Sequence, residues 1–312
     1  MKKIVQSPGS ATIINAMATG FGSAFGISLN NIVNAEIIDK PNNCISDINA
    51  DTKLMYHCID KVLNYYNINM DELDFGIQIK TESNVPLGSG LSSSSSISNA
   101  VTMASSALLS EELNLKPLKD MEIINLAINA SLDCGVTITG SFDDATASYF
   151  GGILITDNIN HKIILHEDMD ENNILIYMPN KPSLSGSVDL DRIKLFSPLV
   201  NMAFQKACEK DFYNALNLNG LIYGTVLKFN NQIAVEALNA GALASGLSGS
   251  GSSYVAIVTD EYVDDVYDAW SFLEEGKIIK TSVNNNGTKF LEWFFSNFNF
   301  KKIPLYITKY RL

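Results

Sequence analysis

The run Pro86-Leu87-Gly88-Ser89-Gly90-Leu91-Ser92-Ser93-Ser94-Ser95-Ser96 sets two glycines and five consecutive serines between two segments of opposite character. Before it, Phe75-Gly76-Ile77-Gln78-Ile79-Lys80 alternates apolar and polar residues like a half-buried strand. After it, Ile97-Ser98-Asn99-Ala100-Val101-Thr102-Met103-Ala104 continues with helical character, which a plain serine-rich linker would not do. Strand, glycine-rich turn and helix in that order build a cradle for anions. The first N–H groups of a helix lack internal partners, its dipole is positive at that end, and glycine lets phosphate oxygens approach the backbone. The run is a candidate nucleotide-phosphate site, although it lacks the Gly-Lys-Ser/Thr ending of a P-loop.

Composition narrows the partners. The chain has 312 residues, 46% hydrophobic and 18% charged, which describes a globular protein with ample core and gives two domains as a soft prior. A net charge of −12 argues against nucleic acid or an anionic membrane as partner. No apolar run is long enough to span a bilayer, and Met1-Lys2-Lys3-Ile4-Val5-Gln6 soon meets Pro8 and Gly9, unlike a secretory signal. Cys44, Cys58, Cys134 and Cys208 form no CxxC pair, and His57, His161 and His166 are scattered. Buried thiols in a reducing cytoplasm are expected, rather than a zinc site or a disulfide framework.

Along the chain, glycine-rich Ser7–Thr12 and Ala18–Ile27 precede strand-like Ile32–Ile38. Helices are expected over Asp47–Tyr66 and Leu118–Leu132, the first from the spacing of Leu54, Met55, Cys58, Ile59, Val62 and Leu63. Composition changes after Asp157, and Glu167–Asn173 is acidic and turn-like, so the boundary is placed near residue 160. The expected division is 1–160, 161–288 and a separate aromatic and basic tail, 289–312. The second unit runs from strand Ile174–Met178 through helices to a small-residue loop, Ala244–Ser253, and then strand Tyr254–Thr259, a helix and strand Ile278–Val283. This order fits an α+β unit with antiparallel pairing better than a doubly wound parallel sheet.

Phosphoryl transfer is mainly positioning and charge neutralisation, and it needs a carboxylate near the reacting oxygen. Asp133, Asp143 and Asp144 are the best placed by their surroundings. Asp143 and Asp144 fit equally a helix start, where first-turn carboxylates meet the dipole. Loop 244–253 carries more glycine than a helix end requires, which fits either a turn with several positive φ angles or a close approach to phosphate.

Three separated motifs together resemble the GHMP kinase superfamily. They are Pro86–Ser94, Asp143-Asp144-Ala145 with Gly151-Gly152 downstream, and Leu247-Ser248-Gly249-Ser250-Gly251-Ser252. Within it the chain is similar to archaeal-type shikimate kinases, through Thr12–Ala16, Gly22–Gly26, Gly135–Ala145 and Leu218–Leu221. The resemblance covers residues 1 to about 285 and implies an α+β, two-domain fold: a ribosomal protein S5 domain 2-like N-terminal domain and a ferredoxin-like C-terminal domain. It also implies a cytoplasmic, ATP- and Mg²⁺-dependent transfer of phosphate to the 3-hydroxyl of shikimate, in chorismate and aromatic amino-acid biosynthesis. Homoserine kinase is the nearest enzymatic alternative, and a non-catalytic ligand sensor with the same fold is one of another class.

Carried over residue by residue, the resemblance makes Asp143 the aspartate that orients or deprotonates the acceptor hydroxyl. The ATP cradle becomes Pro86, Leu87, Gly88, Ser89, Gly90, Leu91, Ser92, Ser93, Ser94, Ser95 and Ser96, with Ser94 on the metal. Asp133 falls near a magnesium-binding carboxylate of mevalonate kinase-like members, and Ser248, Gly249, Ser250 and Gly251 form a substrate or phosphate loop. Arg192, one of two arginines, is the candidate partner of the substrate carboxylate, or else a surface residue paired with Asp189 or Asp191. Two departures stand out. Ser92 occupies the place of a second glycine in many relatives, and no lysine lies between Ser7 and Gly26 to activate the acceptor.

Overall fold

The computed structural model describes residues 1–40, 44–46, 52–137, 139–180, 189–273 and 276–291. Its first sheet is built on one long strand. β1 (Lys2–Ile14) pairs antiparallel along nearly the whole of β2 (Phe21–Ile38). The other edge of β2 serves two partners in turn. Phe21–Phe25 pairs with β5 (Ile153–Asp157), and Asn31–Ile38 pairs with β4 (Gly76–Ser83). Short β3 (Cys44–Ser46) adds parallel to β4, β6 (Lys162–Glu167) pairs with β5, and β11 (Lys289–Phe290) pairs with β1. Of the glycine-rich segments near the start, Ser7–Thr12 and Phe21–Ile27 are therefore strand, and Ala18–Gly20 belongs to the turn between β1 and β2. Pro8 and Gly9 are accommodated where the register shifts between them, as expected of a bulge, which hides a strand from a simple alternation.

Four helices accompany this sheet: α1 (Thr52–Tyr65), α2 (Ser93–Glu112), α3 (Asp120–Cys134) and α4 (Phe142–Phe150). The apolar stripe of α1 is buried as its spacing predicts, against Val33, Ile77 and Ile79 of the sheet and Ala100, Val101, Ala104 and Leu108 of α2. Small residues let α2 lie close to its neighbours, and Asn99 ties it to α4 by donating to the Ala145 carbonyl at 2.9 Å.

The second sheet has the order β10-β7-β9-β8, antiparallel throughout, from β7 (Asn173–Pro179), β8 (Ala244–Leu247), β9 (Tyr254–Val258) and β10 (Gly276–Ser282). Its helices are α5 (Leu190–Lys194), α6 (Ser197–Cys208), α7 (Phe212–Val226), α8 (Gln232–Asn239) and α9 (Val263–Ser271). Strand β7, helix α7, strands β8 and β9, helix α9 and strand β10 give the ferredoxin-like arrangement. The two halves share a core. Ala11, Ile13, Phe25 and Ile27 of the first sheet join Leu175, Leu247 and Val255 of the second and Leu216 and Tyr223 of α7.

A division at 160 would cut the turn of the β5–β6 hairpin, because the first sheet continues to Glu167. The chain changes sheets over 168–172, inside the acidic stretch. The expected separate tail also begins within the first sheet, at β11, while 292–312 lies outside the described residues. Among the described residues no helix is long and apolar enough to cross a membrane.

Asn219 of α7 holds the end of β1, its Oδ1 accepting the Asn15 N–H at 3.1 Å with 1% of the residue exposed. Asn219→Leu strands that N–H and is expected to cost about 1–3 kcal/mol. The check is a fall in the urea unfolding midpoint at unchanged slope; an unchanged midpoint refutes the assigned tie.

Candidate active site

Three chain segments converge on a cavity of about 700 Å³. The first is the loop between β4 and α2. Gly88 and Gly90 take φ of +61° and +77°, and Ser92 enters the helix at +59°. The Ser92 side chain makes no capping bond to α2, and the first turn carries no acidic residue. The free N–H groups of this helix start are left for an anion from outside. Leu87, Gly88, Ser89, Gly90, Ser92, Ser93, Ser94 and Ser95 line the cavity.

Three other residues of the run do not line it. Leu91 is buried in the core, and Pro86 accepts the Ser89 hydroxyl at 2.8 Å. Ser96 is fully buried, donating to the Ser7 carbonyl at 2.8 Å and accepting from Asn31 at 2.9 Å. Helical spacing turns this serine towards the strands, so its expected contact with nucleotide is replaced by a structural one.

The second segment is the turn between β8 and β9. Gly249, Ser250 and Gly251 line the cavity, whereas Ser248 lies behind it as a brace. Its hydroxyl donates to the Gly90 carbonyl at 2.7 Å and accepts the Thr12 N–H at 3.1 Å. The Gly249 N–H donates to Thr12 Oγ1 at 2.9 Å, and Asn15 Nδ2 to the Gly249 carbonyl at 2.9 Å. A Cβ on Gly90 would lie 2.2 Å from the Ser248 carbonyl oxygen, so only glycine permits this approach.

The third segment is the start of α4. Asp143 is 5% exposed, and its Oδ1 accepts from Asn158 Nδ2 at 2.8 Å. Asn158 is itself fixed by Thr156, whose hydroxyl donates to its Oδ1 at 2.7 Å. Burial pushes the Asp143 carboxyl upward, opposed by the Asn158 bond and by backbone N–H groups. Asp144, partly buried beside it, is also pushed upward, first by burial and then by the Asp143 charge. Ser92 and Ser10 hydroxyls oppose that rise. Among the described lining residues there is no lysine, arginine or histidine to balance the two carboxylates.

Two expected site residues lie elsewhere. Asp133 is on the last turn of α3, outside the lining, paired with Lys61 of α1 at 2.5 Å, which holds its carboxyl below the usual range. Arg192 is on α5 and does not line the cavity; its backbone N–H donates to Asp189 at 3.0 Å. Thr12 and Asn15 do line it, as do Thr137, Thr139 and Ser141 around Asp143. The supporting role of Asn158 is new, since a hairpin asparagine carries no sequence signal of the carboxylate it faces.

Known proteins resemble this chain in sequence and in fold. The family model for the N-terminal domain of GHMP kinases matches residues 53–152, and the C-terminal model matches 203–275. The chain belongs to the GHMP kinases. It is therefore an ATP-dependent small-molecule kinase. The shikimate kinase of Methanobrevibacter smithii is 56% identical over 291 residues, covering 93% of this chain and 100% of the relative. That of Methanothermobacter thermautotrophicus is 49% identical, covering 94% and 99%. In fold, the mevalonate kinase of Methanococcus jannaschii aligns with a TM-score of 0.74 at 17% identity, over 91% of this chain and 98% of that one.

Asn158 favours the ionised form of Asp143, so Asn158→Leu raises its pKa. If catalysis needs the carboxylate, the acid limb of the pH–rate profile moves to higher pH. A hydrogen bond to a charged group of about 1.5–3 kcal/mol corresponds to a shift of about one to two units. An unmoved limb removes Asn158 from this role.

Proposed function

We propose that the protein transfers the γ-phosphoryl group of ATP to the 3-hydroxyl of shikimate. The observation that carries the general chemistry is that Asp143 and the uncapped start of α2 face one cavity. The choice of acceptor is supported by the similarity along nearly the whole chain to relatives named shikimate kinase.

In this reading the triphosphate lies along loop 87–95, where N–H groups and hydroxyls meet its oxygens. Gly249–Gly251 closes the opposite wall. The acceptor hydroxyl sits against Asp143. As its oxygen bonds to the γ-phosphorus, the bond from that phosphorus to the β-bridging oxygen breaks and ADP leaves. Asp143 takes or orients the hydroxyl proton. The carboxylate of shikimate meets neutral donors from Asn15, Thr137, Thr139 and Ser141, with Arg192 outside the described lining.

The cavity offers hydroxyl and carboxylate oxygens but no thiol or imidazole among its described lining residues, a donor set suited to a hard cation. Ser94, with phosphate oxygens and water, would hold Mg²⁺ there. The described residues contain no cluster of three or more carboxylate, histidine or cysteine ligands, so no all-protein cage is present among them. When bound, Mg²⁺ supplies charge neutralisation on the phosphates.

An ADP-release assay with shikimate, homoserine and mevalonate tests the acceptor. Turnover with shikimate is expected, and turnover with another of the three alone overturns the choice. Asp143→Asn should lower kcat by at least ~10²-fold, the scale of a positioned acid–base group, with nucleotide binding retained. Near-normal kcat in that variant ends its assignment.

A further inference from the structure

The two departures from the family pattern touch each other. The first strand carries no lysine between Ser7 and Gly26, and its Ser10 hydroxyl lies 2.6 Å from the hydroxyl of Ser92, the residue in the place of a glycine. We propose that Ser10 is a positioning residue that makes the Ser92 side chain a hydrogen-bond donor to the nucleotide's phosphates. The inference rests on the kinase reading, since it concerns the same phosphate loop.

The backbone gives the first reason. Ser92 adopts φ +59° and ψ 33°, a left-handed conformation that crowds a side chain and that glycine takes freely. The Ser92 side chain does not cap α2, so helix capping does not account for a serine there. Its hydroxyl faces Ser10 on one side, and the residue lines the cavity on the other.

Proton counting gives the second reason. Ser10 is fully buried and has one hydroxyl proton. Its possible acceptors are Ser92 Oγ at 2.6 Å, Asp144 Oδ1 at 3.4 Å and the Asp144 carbonyl at 3.5 Å. The shortest contact is to Ser92. A Ser92 oxygen already accepting from Ser10 keeps its own proton to donate, and the acceptors on offer are Asp144 on one side and a phosphate in the cavity on the other. Phosphate oxygens only accept, so this orientation suits the ligand. Without the Ser10 proton, nothing on that side holds the Ser92 oxygen as an acceptor, and its lone pairs can face the phosphates instead. Ser10 thus acts through Ser92 and touches neither substrate.

The test is a double-mutant cycle in steady-state kinetics on the full chain, with ATP and shikimate varied separately. Ser10→Ala and Ser92→Gly are each expected to raise KM for ATP about ten-fold, the scale of a hydrogen bond to a charged group, with less effect on KM for shikimate. Because both act through one hydroxyl, the double variant should match the single ones. Ser10→Thr, which keeps a hydroxyl, should lie closer to the parent than Ser10→Ala. Ser92→Gly should not lower the unfolding midpoint, which separates loss of the bond from loss of fold. Multiplying effects in the double variant, equal rises in both KM values, or an unchanged KM for ATP in Ser92→Gly would each overturn the relay while leaving the kinase reading intact. Absence of any ATP-dependent turnover in the parent protein would instead remove the kinase reading and the relay with it.

Discussion

The site is assembled by one buried hydroxyl. Ser248 gives its proton to the Gly90 carbonyl and accepts the Thr12 N–H, so one oxygen joins the phosphate loop, the first strand and the β8–β9 turn. The three segments are far apart in sequence and belong to both sheets. A shared apolar core sets the approximate approach of the halves, but such contacts are non-directional. Directional bonds fix the final register. Removal of the Ser248 hydroxyl would leave a buried carbonyl and a buried N–H to seek other partners.

Delivery of Asp143 follows from the fork in β2. Phe21–Phe25 of that strand holds β5, whose turn into β6 carries Asn158 to the carboxylate. The branch that interrupts a simple sheet therefore supplies the group that orients Asp143. The hairpin belongs to the first sheet, although its second strand follows the compositional change that marks a boundary in the sequence.

What could be read from the sequence was chemistry that depends on neighbours along the chain. The strand–loop–helix around Pro86–Ser96 and the stripe of α1 are local patterns, and both are present. The Asp143-Asp144-Ala145 motif, too, is contiguous. Side-chain direction and distant pairing carry no such local signal. Ser96 and Ser95 look alike in a serine run, yet one faces the core and the other the cavity. Asp133 is close to Asp143 in sequence, but Lys61 of α1 claims it, outside the cavity lining. Strand β1 was obscured because Pro8 and Gly9 break its alternation, and a bulge absorbs them. The contact between Ser10 and Ser92 spans the first strand and the phosphate loop, and no spacing rule connects them.

Both helices at the cavity begin in the same unusual way. Ser92 before α2 and Ser141 before α4 adopt left-handed conformations, and neither side chain caps its helix. Each start therefore leaves N–H groups and a positive dipole end uncovered. The two ends are answered differently. Asp143 and Asp144 occupy the first turn of α4, while the first turn of α2 contains no acidic residue. One end thus stabilises the protein's own carboxylate, and the other remains available for the ligand's phosphates. With no lysine, arginine or histidine among the described lining residues, this division is what would let the cavity hold an anionic ligand beside two carboxylates in the proposed reading. The strained serines provide it by aiming backbone dipoles where charged side chains are absent.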